Sequence, residues 1–314
     1  MPPPSSARAE RSLRSSSFDL CPVSGCIAIS LAVLRFNSNL LKNNIRMEDE
    51  VISSKDNVRL KVARQVRDGR DRSMIFVEGL RLAGEALRSE ISIRECFVAE
   101  SFSERSQGRE MLKALEAKRI PVSFCSDKAF RSIAETVNPQ GIVLLAERPD
   151  EADGKRLFSS DETVLLIYCF EINDPSNLGA LLRTAEAAGV SGVILSPNST
   201  DPFSPKALRA SMGAAFRVPI ASGVEFMNLD QHAEENGVTT IAAAAEAGQY
   251  HFDADLRKPV IIVLGGEANG LPADVIEACD KKVRIPMQPG VESLNLAVSG
   301  AVILYEAVRQ RMSQ

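Results

Sequence analysis

A glycine-rich turn directly follows an apolar run in residues 260–272, VIIVLGGEANGLP. Five consecutive aliphatic residues without polar alternation are typical of a strand buried on both faces of a parallel sheet. Glycines after such a strand let the backbone approach a ligand and adopt conformations denied to other residues. The turn has neither the GxGxxG spacing of a dinucleotide site nor the Lys-Ser/Thr of a P-loop. The stretch therefore indicates a parallel sheet with some other binding site at a strand end.

Apolar runs and helical patterns alternate on both sides of this stretch, which predicts a parallel sheet with helices on both faces. The predicted helices cover residues 178–188, 206–215 and 294–311. The predicted strands cover residues 163–170, 192–196, 218–220, 239–243, 260–264 and 282–285.

The first half of the chain has a mixed pattern that predicts a smaller α/β unit. Its predicted helices cover residues 57–70, 79–89 and 110–118, and its strands 73–77, 96–99, 122–125 and 142–146. We expect this domain to span residues 47–148. A polar linker is predicted over 149–160 and the second domain over 161–314.

Residues 1–46 differ in composition, because Pro and Ser dominate their first part and acidic residues are rare. The apolar run 26–34 is about half of the ~20 residues that a membrane-spanning helix needs. The segment is an organellar transit peptide, a disordered tail, or upstream sequence translated from a start placed too early. We favour the last interpretation, in which Met47 is the start, because an ordered pattern of helices and strands begins immediately after Met47. We then expect the protein to be cytoplasmic.

Overall composition limits the chemistry that the chain can perform. A net charge of -4 argues against binding of polyanions by the whole surface, so any RNA contact needs a local basic patch. The six cysteines are scattered without a CxxC pair, which indicates reduced thiols. The two histidines, His232 and His251, lack the spacing of a helical metal-ligand pair, so we expect neither a metal site nor a Ser/His/Asp triad.

Three segments of the second half carry candidate site residues, and each follows a predicted strand. The carboxyl ends of parallel strands meet at one edge of a sheet, so the segments can converge on one crevice. In the first, Asn177 suits a helix N-cap, and Arg183 lies off the apolar stripe of the helix. A guanidinium near free backbone N–H groups makes an anion site for phosphate or a polarised ribose oxygen. A cap followed by a solvated arginine is the alternative explanation.

The other two segments add an acid, two polar groups and an apolar wall. Glu267 of the glycine-rich turn can bond a ligand hydroxyl or only stabilise the turn. Ser293 and Asn295 stand where the last helix begins. Ile285, Met287 and Leu294 offer a wall suited to an adenine ring and a sulfonium, although ordinary core residues at a strand–loop–helix corner would look the same.

Taken together and in this order, the segments resemble the three signature motifs of the SpoU (TrmH) branch of the SPOUT methyltransferases. The first motif matches Asn177, Gly179, Arg183 and Ala185. The second matches residues 265–271 with Glu267 in the acidic position, and the third matches residues 285–287 and 293–295.

The resemblance implies a parallel sheet closed by a C-terminal trefoil knot, one of the rare exceptions to unknotted topology. It implies that S-adenosylmethionine is bound by Gly265, Ile285, Met287 and Leu294, and that a methyl group passes to a ribose 2′-hydroxyl of structured RNA. Catalysis would fall to Arg183, Asn177, Glu267, Ser293 and Asn295. The resemblance also implies a homodimer through the Asn177 helix and the last helix, with no metal and no membrane contact.

The first half resembles the family's RNA-binding substrate domain more loosely, through a basic run in which we expect Lys55, Arg59, Lys61 and Arg64 to contact phosphates. A solvated amphipathic helix is the alternative explanation of this run. The extra domain favours ribosomal over transfer RNA as the substrate. Three alternatives are an inactive RNA-binding paralogue, a nicotinamide-dependent dehydrogenase and a SPOUT enzyme that methylates a base nitrogen. The intact motif residues and the absent GxGxxG weigh against the first two, and the first motif weighs against the third.

Overall fold

The computed structural model describes residues 51–158 and 163–313 of the chain. The interpretations offered for residues 1–46 lie outside this part. Within it, every helix is too short or too polar to cross a membrane. The four cysteines that it contains are free and buried, in agreement with the predicted reduced thiols.

The first domain is a four-stranded sheet with five helices. Its strand order is β1-β4-β2-β3, in which β4 runs antiparallel to β1 and β2, and β2 pairs with β3 in parallel. The strands are β1 (Met74–Glu78), β2 (Ile93–Ala99), β3 (Val122–Cys125) and β4 (Ile142–Glu147). The helices are α1 (Val58–Arg67), α2 (Leu80–Arg88), α3 (Glu100–Ser103), α4 (Ser106–Ala117) and α5 (Asp127–Arg131). All four strands were predicted, whereas the short helices α3 and α5 were not.

The second domain contains a seven-stranded sheet in which every pair of neighbours is parallel, with the order β7-β6-β5-β10-β8-β11-β9. The strands are β5 (Leu165–Cys169), β6 (Gly192–Leu195), β7 (Ile220–Ala221), β8 (Thr239–Ala243), β9 (Gln249–Tyr250), β10 (Val260–Leu264) and β11 (Lys281–Arg284). The predicted fold class, a C-terminal parallel sheet after a small α/β domain, is confirmed.

Helices cover both faces of this sheet, as predicted. They are α6 (Gly154–Phe158), α7 (Pro175–Ala187), α8 (Pro205–Ser211), α9 (Phe226–Glu235), α10 (Ala273–Ala278) and α11 (Leu296–Met312). Successive residues of a strand point to opposite faces. Leu165 and Ile167 of β5 therefore join the core under α7 and α11, while Leu166 and Tyr168 join a second core under α9.

Three details of the second domain differ from the sequence prediction. The helix predicted over 206–215 ends at Ser211, because Met212 (φ 51°) and Gly213 (φ 91°) adopt left-handed backbone conformations that stop a helix. Helices α9 and α10 and the two-residue strand β9 were not predicted. The predicted linker, residues 149–160, contains α6, whose Leu157 packs into the second core.

Ion pairs connect the two domains. Arg148, just after β4, donates two hydrogen bonds to the carboxylate of Asp201 at 2.9 and 3.0 Å, and its guanidinium lies 4.7 Å from the ring centre of Phe203. Arg217 bonds Glu85 of α2 at 3.0 Å. These contacts hold the first domain in its orientation relative to the sheet of the second domain.

The close packing of α7 against α8 depends on Gly179. A Cβ atom there would lie 2.5 Å from both the carbonyl oxygen of Ala207 and the Cβ of Ala210. We expect Gly179→Ala to destabilise the protein by about 1–3 kcal/mol, since overpacking forces the two backbones apart. Gly84→Ala in α2 is the control, because its Cβ would meet only the flexible end of Arg88 at 3.6 Å. Urea denaturation should show a loss for the first variant and none for the second; equal stabilities would contradict this account.

Candidate active site

The loops after β5, β10 and β11 meet at one edge of the parallel sheet. The backbone N–H of Phe170 donates to Leu264 O at 2.8 Å, so the first two loops leave the sheet side by side. Gly266 then packs on the first loop so closely that a Cβ would lie 2.6 Å from Glu171 O. Gly265 is equally confined, since its Cβ would lie 2.2 Å from the carbonyl carbon of Gly270. Both contacts require glycine in this turn.

Glu267 connects the glycine-rich turn to the start of α7. Its carboxylate accepts hydrogen bonds from the backbone N–H groups of Asn173 (3.2 Å) and Asp174 (3.4 Å). It also accepts from the side-chain amide of Asn177 at 2.9 Å. Of the two roles open to Glu267 on sequence grounds, these contacts show the stabilisation of the turn.

Asn295 extends the same network to the third segment. Its side-chain N–H donates to Asn177 Oδ1 at 2.8 Å, and its Oδ1 accepts from the backbone N–H groups of Ala297 and Val298 at the start of α11. Hydrogen bonds thus connect three side chains that lie up to 118 residues apart in the sequence, namely Glu267, Asn177 and Asn295. We call these three hydrogen-bonded side chains the motif network.

The motif network keeps Glu267 ionised. Partial burial acts to raise the pKa of this carboxyl group, but the hydrogen bonds from Asn177 and from the backbone of Asn173 and Asp174 outweigh it. The net pKa lies below the ordinary value. At neutral pH the group is therefore a hydrogen-bond acceptor and a weak base.

The expected N-cap role of Asn177 is wrong, because α7 begins three residues earlier than predicted from this cap. Asp174 is the N-cap and accepts from the backbone N–H of Ser176 at 2.9 Å, with Pro175 in the first helical position. Asp followed by Pro is a recognised helix-start signal that the sequence analysis missed. Because Asn177 lies inside the first turn, its side chain is free to join the motif network.

Lys206 of α8 is a cation near this site that the sequence analysis also missed. Its ammonium group lies 2.9 Å from a carboxylate oxygen of Asp174. The hydrogen bond from the backbone N–H of Ser176 and this ion pair hold the pKa of Asp174 below its ordinary value. Nothing in the local sequence around 206 indicated the contact, since the two residues lie 32 positions apart.

Comparison with known proteins agrees with this geometry. Residues 164–305 match the model of the SpoU rRNA Methylase family, and residues 76–152 match a model described as RNA 2′-O ribose methyltransferase substrate binding. An uncharacterized tRNA/rRNA methyltransferase of Synechocystis is 32% identical over 264 residues, which cover 83% of this chain and 94% of the relative. The chain belongs to the SpoU methylase family.

Named relatives and solved structures specify the activity of this SpoU protein. The 23S rRNA (guanosine-2′-O-)-methyltransferase RlmB of Shewanella oneidensis is 34% identical, over 66% of this chain and 88% of the relative. The crystal structure of an RNA 2′-O ribose methyltransferase is 31% identical with a TM-score of 0.72, and covers 84% of this chain and 100% of that one. An rRNA methyltransferase of Sinorhizobium meliloti with bound AdoMet (S-adenosylmethionine) is 28% identical with a TM-score of 0.71, over 83% and 97% of the two chains.

The SpoU chain is therefore an S-adenosylmethionine-dependent RNA 2′-O-methyltransferase, as the motifs predicted. The dehydrogenase alternative is wrong. Within the part of the chain that the structure describes, no group of three or more His, Cys, Asp or Glu side chains is arranged to hold a metal ion.

The loop between β11 and α11 fits S-adenosylmethionine. Along residues 286–294 the backbone makes one internal hydrogen bond, from Val291 N–H to Gln288 O at 3.1 Å, so other N–H and C=O groups remain available to a ligand. Ile285 packs on the core under α7 and α11, Met287 is half-buried and Leu294 is 37% exposed. Apolar side chains beside open backbone groups are what an adenine ring requires.

Two predicted catalytic residues of the SpoU domain stand apart from the motif network. Arg183 lies six residues after Asn177, about 240° around the helix. Its side chain is exposed, with no partner among the described residues. Ser293 is also exposed and lacks a side-chain hydrogen bond within the described chain. The geometry therefore joins three of the five predicted catalytic residues.

The predicted RNA-binding residues around α1 are partly engaged within the first domain. Arg59 forms an ion pair with Glu95, and Arg64 donates to Ser132 Oγ at 3.1 Å and to Lys55 O at 2.9 Å. The side chains of Lys55 and Lys61 are exposed. All four predicted residues precede the segment 76–152 that matches the substrate-binding model.

Proposed function

We propose that this enzyme methylates a ribose 2′-hydroxyl in ribosomal RNA, with 23S rRNA as the substrate. The motif network carries the proposal, because it joins the three SpoU motifs in one site beside the open loop 286–294. Relatives named as 23S rRNA guanosine-2′-O-methyltransferases are 32–35% identical to this chain and support the choice of RNA. We place the enzyme in the cytoplasm, where bacterial ribosomal RNA is modified.

The proposed cofactor contacts are the backbone of Gly265 and the side chains of Ile285, Met287 and Leu294. S-adenosylmethionine supplies an electrophilic methyl group on a cationic sulfur, and its transfer to a ribose oxygen releases a thioether and a proton. The motif network positions these residues by holding the glycine-rich turn, the start of α7 and the start of α11 together. Asn177, Glu267, Ser293 and Asn295 form the polar lining of the site in this proposal.

Arg183 is proposed to fix the ribose and a neighbouring phosphate and to stabilise negative charge that develops on the 2′-oxygen. A guanidinium suits this role, since it stays protonated and presents several donors in one plane. It is a poor proton acceptor for the same reason. Glu267 is a poor acceptor too, because its pKa is lowered and its oxygens already accept three hydrogen bonds. Neither side chain suits the role of proton acceptor, and in this proposal a group of the RNA or water takes up the proton.

We propose that the C-terminal segment threads through a loop to form the trefoil knot of the family. The close seating of α11 supports this, since a Cβ at Gly300 would lie 2.5 Å from Leu181 of α7 and 3.1 Å from Leu264 of β10. Asn295 also bonds the first turn of α7 directly.

We further propose a homodimer that uses α7 and α11. Three exposed apolar residues, Val298, Tyr305 and Met312, recur every seven positions on α11, and Tyr305 is 50% exposed. We expect Tyr305→Asp to convert a dimer to a monomer in sedimentation velocity runs, because a buried unpaired charge opposes association. Met227→Asp, at an exposed apolar position of α9, is the matched control and should stay dimeric. A monomeric wild-type protein at tens of micromolar would contradict the dimer.

Mapping of 2′-O-methyl groups tests the proposed substrate. Total RNA from cells that lack the gene should have lost one 2′-O-methyl nucleotide in 23S rRNA, and a plasmid copy of the gene should restore it. A lost site in transfer RNA with unchanged rRNA would refute the ribosomal assignment while leaving the reaction type in place.

A further inference from the structure

The first domain contains a cavity of about 420 Å³ at one end of its sheet, outside the site described above. Its volume is within the range of ligand pockets in proteins, about 300–1,000 Å³. The wall includes two arginines, two amides, one carboxylate and one projecting aliphatic residue: Arg105, Arg131, Asn138, Gln140, Asp127 and Val137.

The chemistry of this wall suits a nucleotide. The guanidinium groups of Arg105 and Arg131 are exposed and have no partner among the described residues. Unpaired arginines at a cavity bind phosphate through two parallel hydrogen bonds. Amide side chains such as that of Asn138 present both donors and acceptors to the edge of a base. Asp127 is already occupied in part, since it accepts from the hydroxyl of Ser101 at 2.7 Å.

Val137 projects from the rim of the cavity and is 95% exposed. The chain holds it there firmly. The buried carboxylate of Glu78 accepts from Glu135 N–H at 2.9 Å and from the hydroxyl of Thr136 at 2.5 Å, directly before Val137. After Val137, the side chain of Gln140 accepts a hydrogen bond from Leu80 N–H at 2.7 Å, so the backbone is held on both sides of Val137. An aliphatic side chain held beside a polar cavity is available for apolar contact with a ligand that enters the cavity.

The cavity rim is connected to the candidate active site through α8. Arg209 of this helix forms an ion pair with Glu135, two residues before the rim residue Val137, and Lys206 bonds Asp174 at the start of α7. Three residues of helix separate the two cations by about 4.5 Å along the axis. One helix therefore contacts both the segment before Val137 and the start of α7.

We propose that this cavity binds an unpaired nucleotide of the RNA substrate, with Arg105 and Arg131 on its phosphates and Asn138 on its base. The inference rests on the proposed function and names the surface of the first domain that the RNA uses. All cavity residues lie within the segment 76–152 that matches the substrate-binding model, whereas the basic face of α1 lies outside it. The proposal therefore places the main RNA contact at the cavity, and RNA binding by the basic face of α1 stays a prediction.

A single tryptophan tests this placement, because the chain contains none. Val137→Trp puts one at the cavity rim, and Val58→Trp puts one on the α1 face, where Val58 is 73% exposed. Each full-length variant is titrated with an unmethylated 23S rRNA transcript and, in parallel, with total transfer RNA. We expect fluorescence quenching of Val137→Trp by base stacking and little change for Val58→Trp. Quenching of Val58→Trp alone would overturn the inference in favour of α1.

Charge removal provides a second test. Arg105→Ala/Arg131→Ala should raise KM for RNA by about 100-fold, since the loss of each arginine's charge-assisted contact costs roughly tenfold. The slope of log KM against the logarithm of the salt concentration should fall by about 1.4, because two phosphate contacts are lost. Both kcat and the affinity for S-adenosylmethionine should stay within about twofold, because the cavity lies outside the motif network.

Lys113→Gln/Arg119→Gln is the matched control, because it removes the same number of positive charges. Lys113 lies in the second half of α4 and Arg119 just after its end, whereas Arg105 precedes the first turn of this helix. An unchanged KM in the cavity variant, or an equal rise in the control, would refute the inference. Wild-type enzyme that methylates transfer RNA but not the transcript would refute the ribosomal substrate instead. In that case the quenching by transfer RNA still decides where RNA binds.

Discussion

Arg183→Ala is expected to reduce kcat for methyl transfer by at least about 100-fold, the usual loss when a donor to a developing oxyanion is removed. The affinity for S-adenosylmethionine should change by less than about twofold. The reason is that the exposed side chain of Arg183 forms no hydrogen bond or ion pair with the motif network or the loop 286–294 within the described chain. A tritiated-methyl assay with saturating RNA measures the first quantity, and titration calorimetry with the methyl donor measures the second.

Two further variants make this test specific. Arg183→Lys keeps the charge but loses the planar set of donors, so it should recover only part of the activity. Arg257→Ala removes an exposed arginine that pairs with Asp255 before β10, at the opposite end of the strands, and should turn over normally. Turnover of Arg183→Ala close to the wild-type rate would defeat the assignment of Arg183.

Glu267→Gln is expected to weaken both the binding of S-adenosylmethionine and methyl transfer by about 100-fold or more. The carboxylate accepts from two backbone N–H groups and from Asn177. Hydrogen bonds to a charged group contribute about 1.5–3 kcal/mol each before solvent screening. A glutamine offers one oxygen and turns an NH₂ group toward a donor, so the glycine-rich turn and the start of α7 separate.

Calorimetry and the methyl assay check this expectation. Glu277→Gln on α10 is the matched control, because Glu277 is exposed and has no side-chain partner among the described residues. If Glu267→Gln bound the methyl donor as tightly as the control, the motif network would have no part in forming the cofactor site.

The stability advantage of the wild type over Glu267→Gln should depend on pH. Because the folded-state pKa of Glu267 lies below its unfolded value, the ionised carboxylate stabilises the native state fully above that unfolded value. The advantage should disappear as the pH falls through the lowered pKa. Urea denaturation of both proteins from neutral pH down to about pH 3 follows this change. A difference that grows on acidification would contradict the sign of the shift.

Much of the site was predictable from local sequence, since the motif residues follow strands whose apolar runs identify them as buried. Parallel strands bring their carboxyl ends to one edge whatever the chain length between them. The contacts within the site were not predictable in this way. Asn177 suited an N-cap by residue type, yet Asp174 and Pro175 start the helix and leave Asn177 to bond Glu267 and Asn295. Residue preference sets which caps are favourable, and packing selects among them.

Sequence by itself determined the class of the second domain, the order of its motifs and the reaction type. The class follows from hydrophobic periodicity, which is a local property of a chain, and the reaction type is what the resemblance of the ordered motifs to the SpoU family implies. Only the tertiary structure decided that Arg183 stands outside the motif network, that Lys206 reaches Asp174, and that unpaired arginines line a cavity in the first domain. Such contacts join residues tens of positions apart, and their formation depends on how helices pack on the two sheets.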